Sequence, residues 1–287
     1  MSDKLHFLVV DGYAKAGRED LEAGGASSGG ALYERMLREI APGCAVDVIH
    51  PADPGAELPK GAALADYDGV AWSGSSLTIY AGTPDVEAQI AFARAVFASG
   101  TPQFGSCWAA QVAVAAAGGD CAKNPRGREM FIARKIRLTE EGRGHPMYIG
   151  KKSVFDGWIS HDDEITHLPP NAVLLATNDF TRVQAVAVTL DGGAFWALQY
   201  HPEYSVHEMA RLVHCRKAKL VELGLMPDME TAARFVDDLE ALHDNPDDSV
   251  LRFRFAIDED ILDTDIRHAE VRNWIDRLVW PAKLRRA

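Results

Sequence analysis

The sequence predicts an α/β protein with a mostly parallel central sheet, helices on both faces of that sheet, an antiparallel strand extension and a C-terminal helical extension. Two observations predict this class. Short apolar runs alternate with helical patterns between residues 5 and 117, as in parallel sheets that are covered on both faces. Beyond residue 123, short strand-like runs are separated by turns rich in Pro, Asn, Asp and Gly, as in antiparallel meanders.

The first half of the chain supplies the predicted parallel strands. Apolar runs, each followed by a loop or a helical pattern, lie at residues 5–10, 45–49, 69–72 and 101–105. Residues 84–97 form an amphipathic pattern that opens with Pro84, and proline is favoured at the first helical position. Sites in such sheets lie at the carboxyl ends of the strands, so we expect a functional site there.

The second half is predicted to continue the sheet and then to become helical. Strand-like runs lie at residues 130–138, 155–158, 173–176, 184–190 and 195–200. We predict an α/β domain over residues 1–224 and a helical extension over residues 225–287 that packs on it. Apolar side chains recur at helical spacing in the extension, and they either complete the core or form a surface for a homodimer or another partner.

Composition excludes several classes of function. The formal net charge is −12, and because nucleic-acid-binding proteins usually carry a basic excess, no nucleic-acid partner is expected. No run approaches the roughly 18 apolar residues of a membrane span, so no membrane association is expected. A cytoplasmic location is expected, because a reducing compartment suits four widely spaced cysteines without a C-x-x-C pair, namely Cys44, Cys107, Cys121 and Cys215.

The stretch around Cys107 carries the strongest chemical signal. An apolar run breaks at Gly105, Cys107 follows two residues later, and an alanine-rich helical pattern begins at once. Such a strand–turn–helix junction lifts a side chain out of the sheet, as in a nucleophile elbow, and the helix N-terminus favours a thiolate and can hold an oxyanion. The alternative is a buried structural cysteine, since free cysteine packs as a small hydrophobe.

Two further segments supply partners for this cysteine. An apolar run ends in His201-Pro202-Glu203. A cysteine nucleophile needs a base, and the base needs an orienting acceptor, so His201 and Glu203 fit these two roles. Upstream, another apolar run ends in a Gly/Ser turn at Gly74, and this turn can place backbone N–H groups beside the cysteine.

The chain resembles the class I glutamine amidotransferases in the order and strand-end positions of Cys107, His201 and Glu203. The likeness is greatest to the glutaminase domain of GMP synthetase. The resemblance covers roughly residues 5–215. It implies that Cys107 is the nucleophile, His201 the general base and acid, and Glu203 the residue that orients the imidazole. It also implies a set of oxyanion- or substrate-binding residues, namely Gly74, Ser75, Trp108, Gln111, Ser160 and His161.

The chain departs from the family pattern at three positions. Ala109 and Ser75 stand where the family usually has glycine, and Ser76 stands where it usually has proline. The extra methyl group of Ala109 is expected to be tolerated. The Cβ of Ser75 is expected to matter more, because this loop must approach the substrate closely.

Two charged clusters lie near the expected site. Arg128 and Glu129 either contact the substrate or a partner, or they belong to a solvated turn. The run 161–164, with His167 nearby, carries side chains that can bind metals, but their spacing matches no familiar ligand set. No metal site is therefore predicted.

The expected chemistry is attack of Cys107 on the γ-amide carbon of glutamine or of a γ-glutamyl amide, followed by hydrolysis of the thioester. This reaction needs neither a metal nor an organic cofactor. The leading interpretation is a glutaminase subunit that supplies ammonia to a separate synthase. The alternatives are a stand-alone hydrolase of γ-glutamyl amides and a non-catalytic amidotransferase-like protein, the latter suggested by Ser75 and Ala109.

Overall fold

The structure is a computed structural model and describes residues 4–286. The strands are β1 (His6–Val10), β2 (Ala45–Ile49), β3 (Gly69–Trp72), β4 (Gln103–Ser106), β5 (Asp120–Lys123), β6 (Glu129–Leu138), β7 (Val154–His161), β8 (Asp163–His167), β9 (Ala172–Thr177), β10 (Ala185–Leu190) and β11 (Gly193–Leu198). A nine-stranded sheet has the order β2-β1-β3-β4-β11-β10-β9-β6-β7, and β5 pairs with β8 separately.

The central sheet consists of a parallel half and an antiparallel half. Strands β2, β1, β3, β4 and β11 are parallel and form the parallel half. Strands β10, β9, β6 and β7 continue the sheet by antiparallel pairing and form the antiparallel half. Leu198 of β11 lies opposite Ser106 of β4, so the segments that follow these two strands emerge at the same edge. The predicted fold class is confirmed.

The helices are α1 (Lys15–Ala23), α2 (Gly29–Ile40), α3 (Pro84–Ser99), α4 (Trp108–Ala116), α5 (Glu140–Gly144), α6 (Val206–Glu222), α7 (Met229–Asp244), α8 (Ser249–Phe255), α9 (Glu259–Leu262), α10 (Thr264–Arg267), α11 (Ala269–Trp274) and α12 (Trp280–Arg286). A π-helical segment (Ile275–Val279) links the last two. Helix α3 begins at Pro84, as predicted, and ends at Ser99, where Gly100 caps it in a left-handed conformation (φ 73°).

Each face of the parallel half carries its own apolar core, because successive residues of a strand point to opposite faces. Phe7 of β1 packs on one face with Phe104 and Trp274, whereas Leu8 packs on the other face with Trp72. The ring of Trp274 lies with its centroid 5.7 Å from the rings of both Phe7 and Phe104. Since Trp274 belongs to α11, the C-terminal extension completes one of these cores.

The C-terminal extension also buries polar groups against the sheet. Glu270 is fully buried, lies 2.8 Å from Lys151 Nζ, and accepts a hydrogen bond of 2.6 Å from the Tyr200 hydroxyl. Most of its apolar side chains at helical spacing are buried within the chain, including Ala232, Val236, Leu239, Leu242, Ile261, Val271 and Ile275. The extension therefore contributes to the core, while the domain boundary at residue 224 and a homodimer stay predictions. Within residues 4–286, none of the helices combines the length and the apolar character that a bilayer crossing requires.

Candidate active site

Cys107 lies at a sharp turn between β4 and α4. Its backbone has φ 56° and ψ −100°, a conformation that costs a non-glycine residue about 1–3 kcal/mol and is held by its surroundings. The Cys107 N–H donates to the Leu198 carbonyl at 2.7 Å, which ties the turn to the end of β11. The predicted elbow is therefore present, and the thiol stands at the carboxyl edge of the parallel half.

Gly105 and Ala109 share the space behind this turn. A Cβ on Gly105 would lie 2.4 Å from the Ala109 Cβ and 2.6 Å from the Trp72 carbonyl oxygen. Any side chain at position 105 would thus push helix α4 away from the sheet. The methyl group of Ala109 occupies the room that Gly105 leaves, so this departure from the family pattern is accommodated by packing.

His201 follows β11 and forms a buried pair with Glu203. The two atoms His201 Nδ1 and Glu203 Oε1 are 2.6 Å apart, and each side chain is only 2% exposed. Ser106 Oγ donates to the same carboxylate oxygen at 2.8 Å, and the Tyr204 ring stacks on the imidazole with a centroid separation of 4.2 Å. These contacts fix the ring, because both its edge and one of its faces are held.

The charge of Glu203 decides the protonation of His201. Burial lowers the pKa of His201, but Glu203 and the Cys107 thiol outweigh it and raise the pKa to about 9.

A methyl group on Gly74 would lie 3.1 Å from His201 Cε1 and 3.7 Å from Cys107 Cβ. The imidazole and the thiol therefore meet beside the Gly74 loop, where the sequence placed all three.

A cavity of about 540 Å³ opens in front of Cys107. The Cys107 Sγ lies 3.8 Å from the Ser160 carbonyl oxygen, which is a weak hydrogen bond across this cavity. His201 and Glu203 are behind the thiol rather than in the cavity wall. Six of the predicted site residues line the cavity, namely Ser75, Cys107, Trp108, Gln111, Ser160 and His161.

Ser75 lines the cavity, but its hydroxyl is bonded to neighbouring backbone groups. Its hydroxyl donates to the Gly12 carbonyl at 2.9 Å and accepts from the Leu77 N–H at 3.1 Å. Within residues 4–286, positive φ values occur at neither Gly74 nor Ser75, so the loop does not need the conformational freedom of a second glycine. The Ser75 hydroxyl is thus held by the loop after β1 and by Leu77, and the effect of the Ser75 Cβ on substrate approach stays a prediction.

Trp108 and Gln111 occupy the first turns of α4. Trp108 is the first residue of the helix, and a backbone N–H at that position has no acceptor within the helix. Its indole Nε1 donates to Gln89 Oε1 at 2.8 Å, which anchors the ring away from the thiol. Gln111 Nε2 donates to the Asp163 carbonyl at 3.5 Å, so this amide lies on the cavity wall beside β8.

The side chain of His161 is used by the protein itself. Its Nδ1 lies 2.7 Å from the Asp163 carbonyl oxygen, and its Nε2 lies 3.0 Å from Glu129 Oε2. Burial raises the pKa of Glu129, but hydrogen bonds from His161, Asn178 and Thr181 outweigh it and the pKa is lowered. The imidazole therefore links β6, β7 and β8, and both of its ring nitrogens already have partners within the protein. Glu129 does not lie in a solvated turn.

Two arginines of the cavity wall were not among the predicted site residues. Arg128 had two open interpretations, and the structure places it in the cavity wall instead of a solvated turn. Arg216 belongs to no sequence motif, but the spacing of apolar residues in α6 could have indicated its position. The buried residues Met209, Leu212 and Leu220 place position 216 on the inner face of the helix, where an arginine is unusual.

The fold and the site define the class of this protein. The family model described as glutamine amidotransferase class-I matches residues 30–215, and the chain belongs to this family. The family assignment and the predicted enzyme class, a hydrolase of C–N amide bonds, are confirmed.

Two kinds of relatives match this chain. It is 34% identical over 292 residues to a γ-glutamyl-L-1-hydroxyisopropylamide hydrolase from a Pseudomonas species, with 99% of this chain and 96% of that protein covered. It is 28% identical to the GMP synthase of Leifsonia xyli subsp. xyli over 50% of this chain and 27% of that protein. The GMP synthase of Pseudomonas syringae is 31% identical over 60% of this chain and 31% of that protein. The chain thus spans under a third of each of these two synthases.

A solved structure supports the fold. The crystal structure of a glutamine amidotransferase from Thermotoga maritima superposes with a TM-score of 0.62 at 18% sequence identity. The superposition covers 90% of this chain and 100% of that chain. At this identity the likeness concerns the fold alone.

Proposed function

We propose that this protein is a stand-alone hydrolase of γ-glutamyl amides, which releases glutamate and an amine without a synthase partner. One observation carries this proposal. The likeness to the Pseudomonas hydrolase covers 99% of this chain, including the extension whose Trp274 completes a core, whereas the likeness to the Leifsonia GMP synthase covers 50%. The proposal replaces the leading interpretation from the sequence with its first alternative.

In the first step, the Cys107 thiolate attacks the γ-amide carbon of the substrate. A C–S bond forms, the carbonyl electron pair moves to oxygen, and the backbone N–H groups of Trp108 and the Gly74 loop stabilise that oxyanion. The protonated His201 gives its proton to the amide nitrogen, the C–N bond breaks, and the amine leaves. The raised pKa of His201, about 9, supports this role because the imidazole carries the required proton at neutral pH.

In the second step, water hydrolyses the γ-glutamyl thioester. Neutral His201 accepts a proton from the water molecule as its oxygen bonds to the carbonyl carbon, and the C–S bond then breaks. The step yields the Cys107 thiolate, a protonated His201 and a γ-carboxylic acid, which releases its proton to water to give glutamate. Glu203 Oε1 accepts a hydrogen bond from His201 Nδ1 at 2.6 Å and so holds the imidazole in one orientation.

Turnover of the purified protein tests the proposal. We expect the protein alone to release ethylamine from γ-L-glutamyl ethylamide, with a kcat/KM at least about tenfold above that for ammonia release from L-glutamine. Both amines are quantified by chromatography after derivatisation. The glutamine analogue 6-diazo-5-oxo-L-norleucine should label Cys107 with a stoichiometry of one, as measured by mass spectrometry of the peptide.

The outcomes separate the three interpretations. An inert ethylamide, together with glutamine hydrolysis that appears only after a synthase is added, would show a glutaminase subunit, the second candidate, which the likeness to GMP synthases favours. Absence of both labelling and turnover, with or without a synthase, would show a non-catalytic protein. Either result overturns the proposal.

A further inference from the structure

Two arginine side chains converge on one hydroxyl group in the cavity wall. Arg216 Nη1 donates to Ser160 Oγ at 2.6 Å, and Arg128 Nη2 donates to the same oxygen at 2.9 Å. A hydroxyl group is neutral and cannot balance two guanidinium charges. Buried or partly buried charges are stable only when an opposite charge or several hydrogen bonds compensate them. The Ser160 hydroxyl therefore does not neutralise the positive charge of the two arginines.

Arg216 has no acidic partner in residues 4–286. Its hydrogen bonds go to the hydroxyl groups of Ser160 and Tyr13, the second at 3.3 Å. Burial lowers the pKa of Arg216, but the neighbouring Tyr13, Tyr204 and Cys107 outweigh it and the pKa is raised. The guanidinium is thus held in its charged form on the inner face of α6, next to an open cavity.

Arg128 is only partly compensated. One of its nitrogens bonds to Asp162, whose side chain is 46% exposed, while the Arg128 side chain is only 10% exposed. The Arg128 Nε is buried and has no hydrogen-bond partner among residues 4–286. One exposed carboxylate for two guanidinium groups leaves room for a further anion. We propose that Arg128 and Arg216, with Ser160 between them, bind the α-carboxylate of a γ-glutamyl substrate.

The distances suit this substrate class, and to that extent the inference rests on the proposed function. The Ser160 carbonyl oxygen is 3.8 Å from the Cys107 Sγ, and the hydroxyl of the same residue holds both arginines. Ser160 therefore contacts the thiol through its carbonyl oxygen and both arginines through its hydroxyl group. In a γ-glutamyl group, four C–C bonds of about 1.5 Å each separate the attacked amide carbon from the α-carboxylate carbon. This spacing suits a substrate that is attacked at Cys107 while its carboxylate contacts the arginines that line the same cavity.

A negative group on the same wall suits the other charge of an amino-acid head. Asp163 lines the cavity, is 9% exposed, and accepts a hydrogen bond of 2.8 Å from the Tyr80 hydroxyl. The cavity thus offers a carboxylate for the α-ammonium group in addition to the arginines for the α-carboxylate. A zwitterionic head group is complementary to this arrangement, whereas an uncharged acyl amide is not.

Binding to protein that cannot react tests the site. The Cys107→Ala protein is titrated in a calorimeter with γ-L-glutamyl ethylamide and with 4-amino-N-ethylbutanamide, which differs by the missing α-carboxylate. We expect Arg216→Gln and Arg128→Gln each to raise the Kd of the γ-glutamyl compound at least about 30-fold. The analogue without the carboxylate should bind weakly and equally to all variants. Arg216→Lys, which keeps the charge but loses the planar fork, should give an intermediate Kd.

Matched controls use arginines outside the cavity, one in α6, as is Arg216, and one in β6, which begins directly after Arg128. Arg211→Gln in α6 and Arg134→Gln in β6 remove arginines that pair with Glu240 and Asp156, and both should leave the Kd unchanged. In protein that retains Cys107, Arg216→Gln should slow alkylation of the thiol by neutral iodoacetamide far less than it lowers kcat/KM for γ-L-glutamyl ethylamide. This measurement separates carboxylate binding from an effect of the arginine on thiol reactivity.

Three results would overturn this proposal. The arginine variants could raise the Kd of both ligands equally, or alkylation could slow in parallel with turnover. The third result is that γ-glutamyl ethylamide does not bind at millimolar concentration. Failure of the proposed function is distinguishable, because wild-type protein that binds the ligand through the arginines without hydrolysing it leaves this site intact.

Discussion

The parallel and antiparallel halves of the sheet meet at the cavity, and they contribute different things to it. The parallel half brings Cys107, His201 and Glu203 to the ends of two neighbouring strands, where His201 and Glu203 form a buried pair. The antiparallel half brings Ser160 and Arg128, whose charge is not balanced within the described chain. Under the two proposals above, the parallel half carries out the reaction and the antiparallel half recognises the substrate.

Each half also contains one buried carboxylate beside a histidine, and the two sites differ in how fully they are satisfied. Glu129 accepts hydrogen bonds from His161, Asn178, Thr181 and Gln184, at 2.7–3.0 Å. Around the His201–Glu203 pair, by contrast, His201 Nε2 and Glu203 Oε2 are buried and have no partner within residues 4–286. A saturated network holds strands together, while an unsaturated one keeps a ring nitrogen available for a proton transfer.

The largest expected effect concerns the parallel half. Replacing the proposed nucleophile, Cys107→Ser, should lower kcat for γ-L-glutamyl ethylamide at least about 10⁴-fold, because removal of a nucleophile leaves only binding and oxyanion stabilisation. Cys44→Ala is the matched control, since Cys44 is also buried but packs in a core with Phe7. Activity of Cys107→Ser within tenfold of the wild type would remove the chemistry from this half of the sheet.

Glu203→Gln should have the next largest effect, a loss of about 10³-fold in kcat, because the imidazole loses the acceptor that orients it. Wild-type kcat/KM should fall as the pH rises through about 9, where His201 loses its proton. In Glu203→Gln this fall should move to lower pH, since the charge that raises the pKa is gone. An unchanged upper limb would assign that limb to another group.

The same pair makes stability depend on pH with a defined sign. The folded-state pKa of His201 is raised, so its contribution to the free energy of unfolding is complete below the unfolded pKa of about 6.5. That contribution is lost as the pH rises from there through about 9. Urea unfolding at several pH values should show this loss in the wild type and a smaller one in Glu203→Gln.

A smaller effect on kcat is expected in the antiparallel half. Glu129→Gln breaks a buried ionic network and should lower the free energy of unfolding by about 3 kcal/mol, while kcat changes less than about tenfold. Glu141→Gln, at an exposed position, is the control and should be neutral. A loss of kcat as large as that of Glu203→Gln would mean that the Glu129–His161 pair takes part in the reaction, which would break the division between the halves.

The smallest effect is expected at the loop where the chain departs from its family. Ser75→Gly restores the usual residue, yet kcat/KM should change less than about threefold, because the Ser75 hydroxyl is bonded to Gly12 and Leu77 rather than directed at the substrate. The measurement is a Michaelis–Menten comparison with the ethylamide. A large gain in kcat would show that the Ser75 Cβ does obstruct the oxyanion site.

The sequence was informative about the parallel half because its functional residues follow strands directly. Cys107 comes right after β4 and His201 three residues after β11, so each motif is local and its direction is fixed by the strand before it. The sequence was less informative about Ser75, where a glycine was expected. The Ser75 hydroxyl bonds to the Gly12 carbonyl, which lies 63 residues away in the chain.

The contact of Arg128 and Arg216 with Ser160 could not be predicted in the same way. Arg128 and Arg216 are 88 residues apart in the sequence (216 − 128), and neither belongs to a motif. Their hydrogen bonds to Ser160 span 32 and 56 residues. No periodicity encodes such a meeting, because it depends on the crossing of α6 over the antiparallel half.

By itself, the sequence determined the α/β class, the family, and the strand ends that carry the thiol, the imidazole and the carboxylate, since strand direction and sharp turns are local properties of the chain. Only the tertiary structure decided that His161 serves the Glu129 network, that the Ser75 hydroxyl bonds to the Gly12 carbonyl, and that two arginines meet at one hydroxyl. Those outcomes depend on long-range packing and on where charge remains unbalanced, and neither is visible along a single stretch of chain.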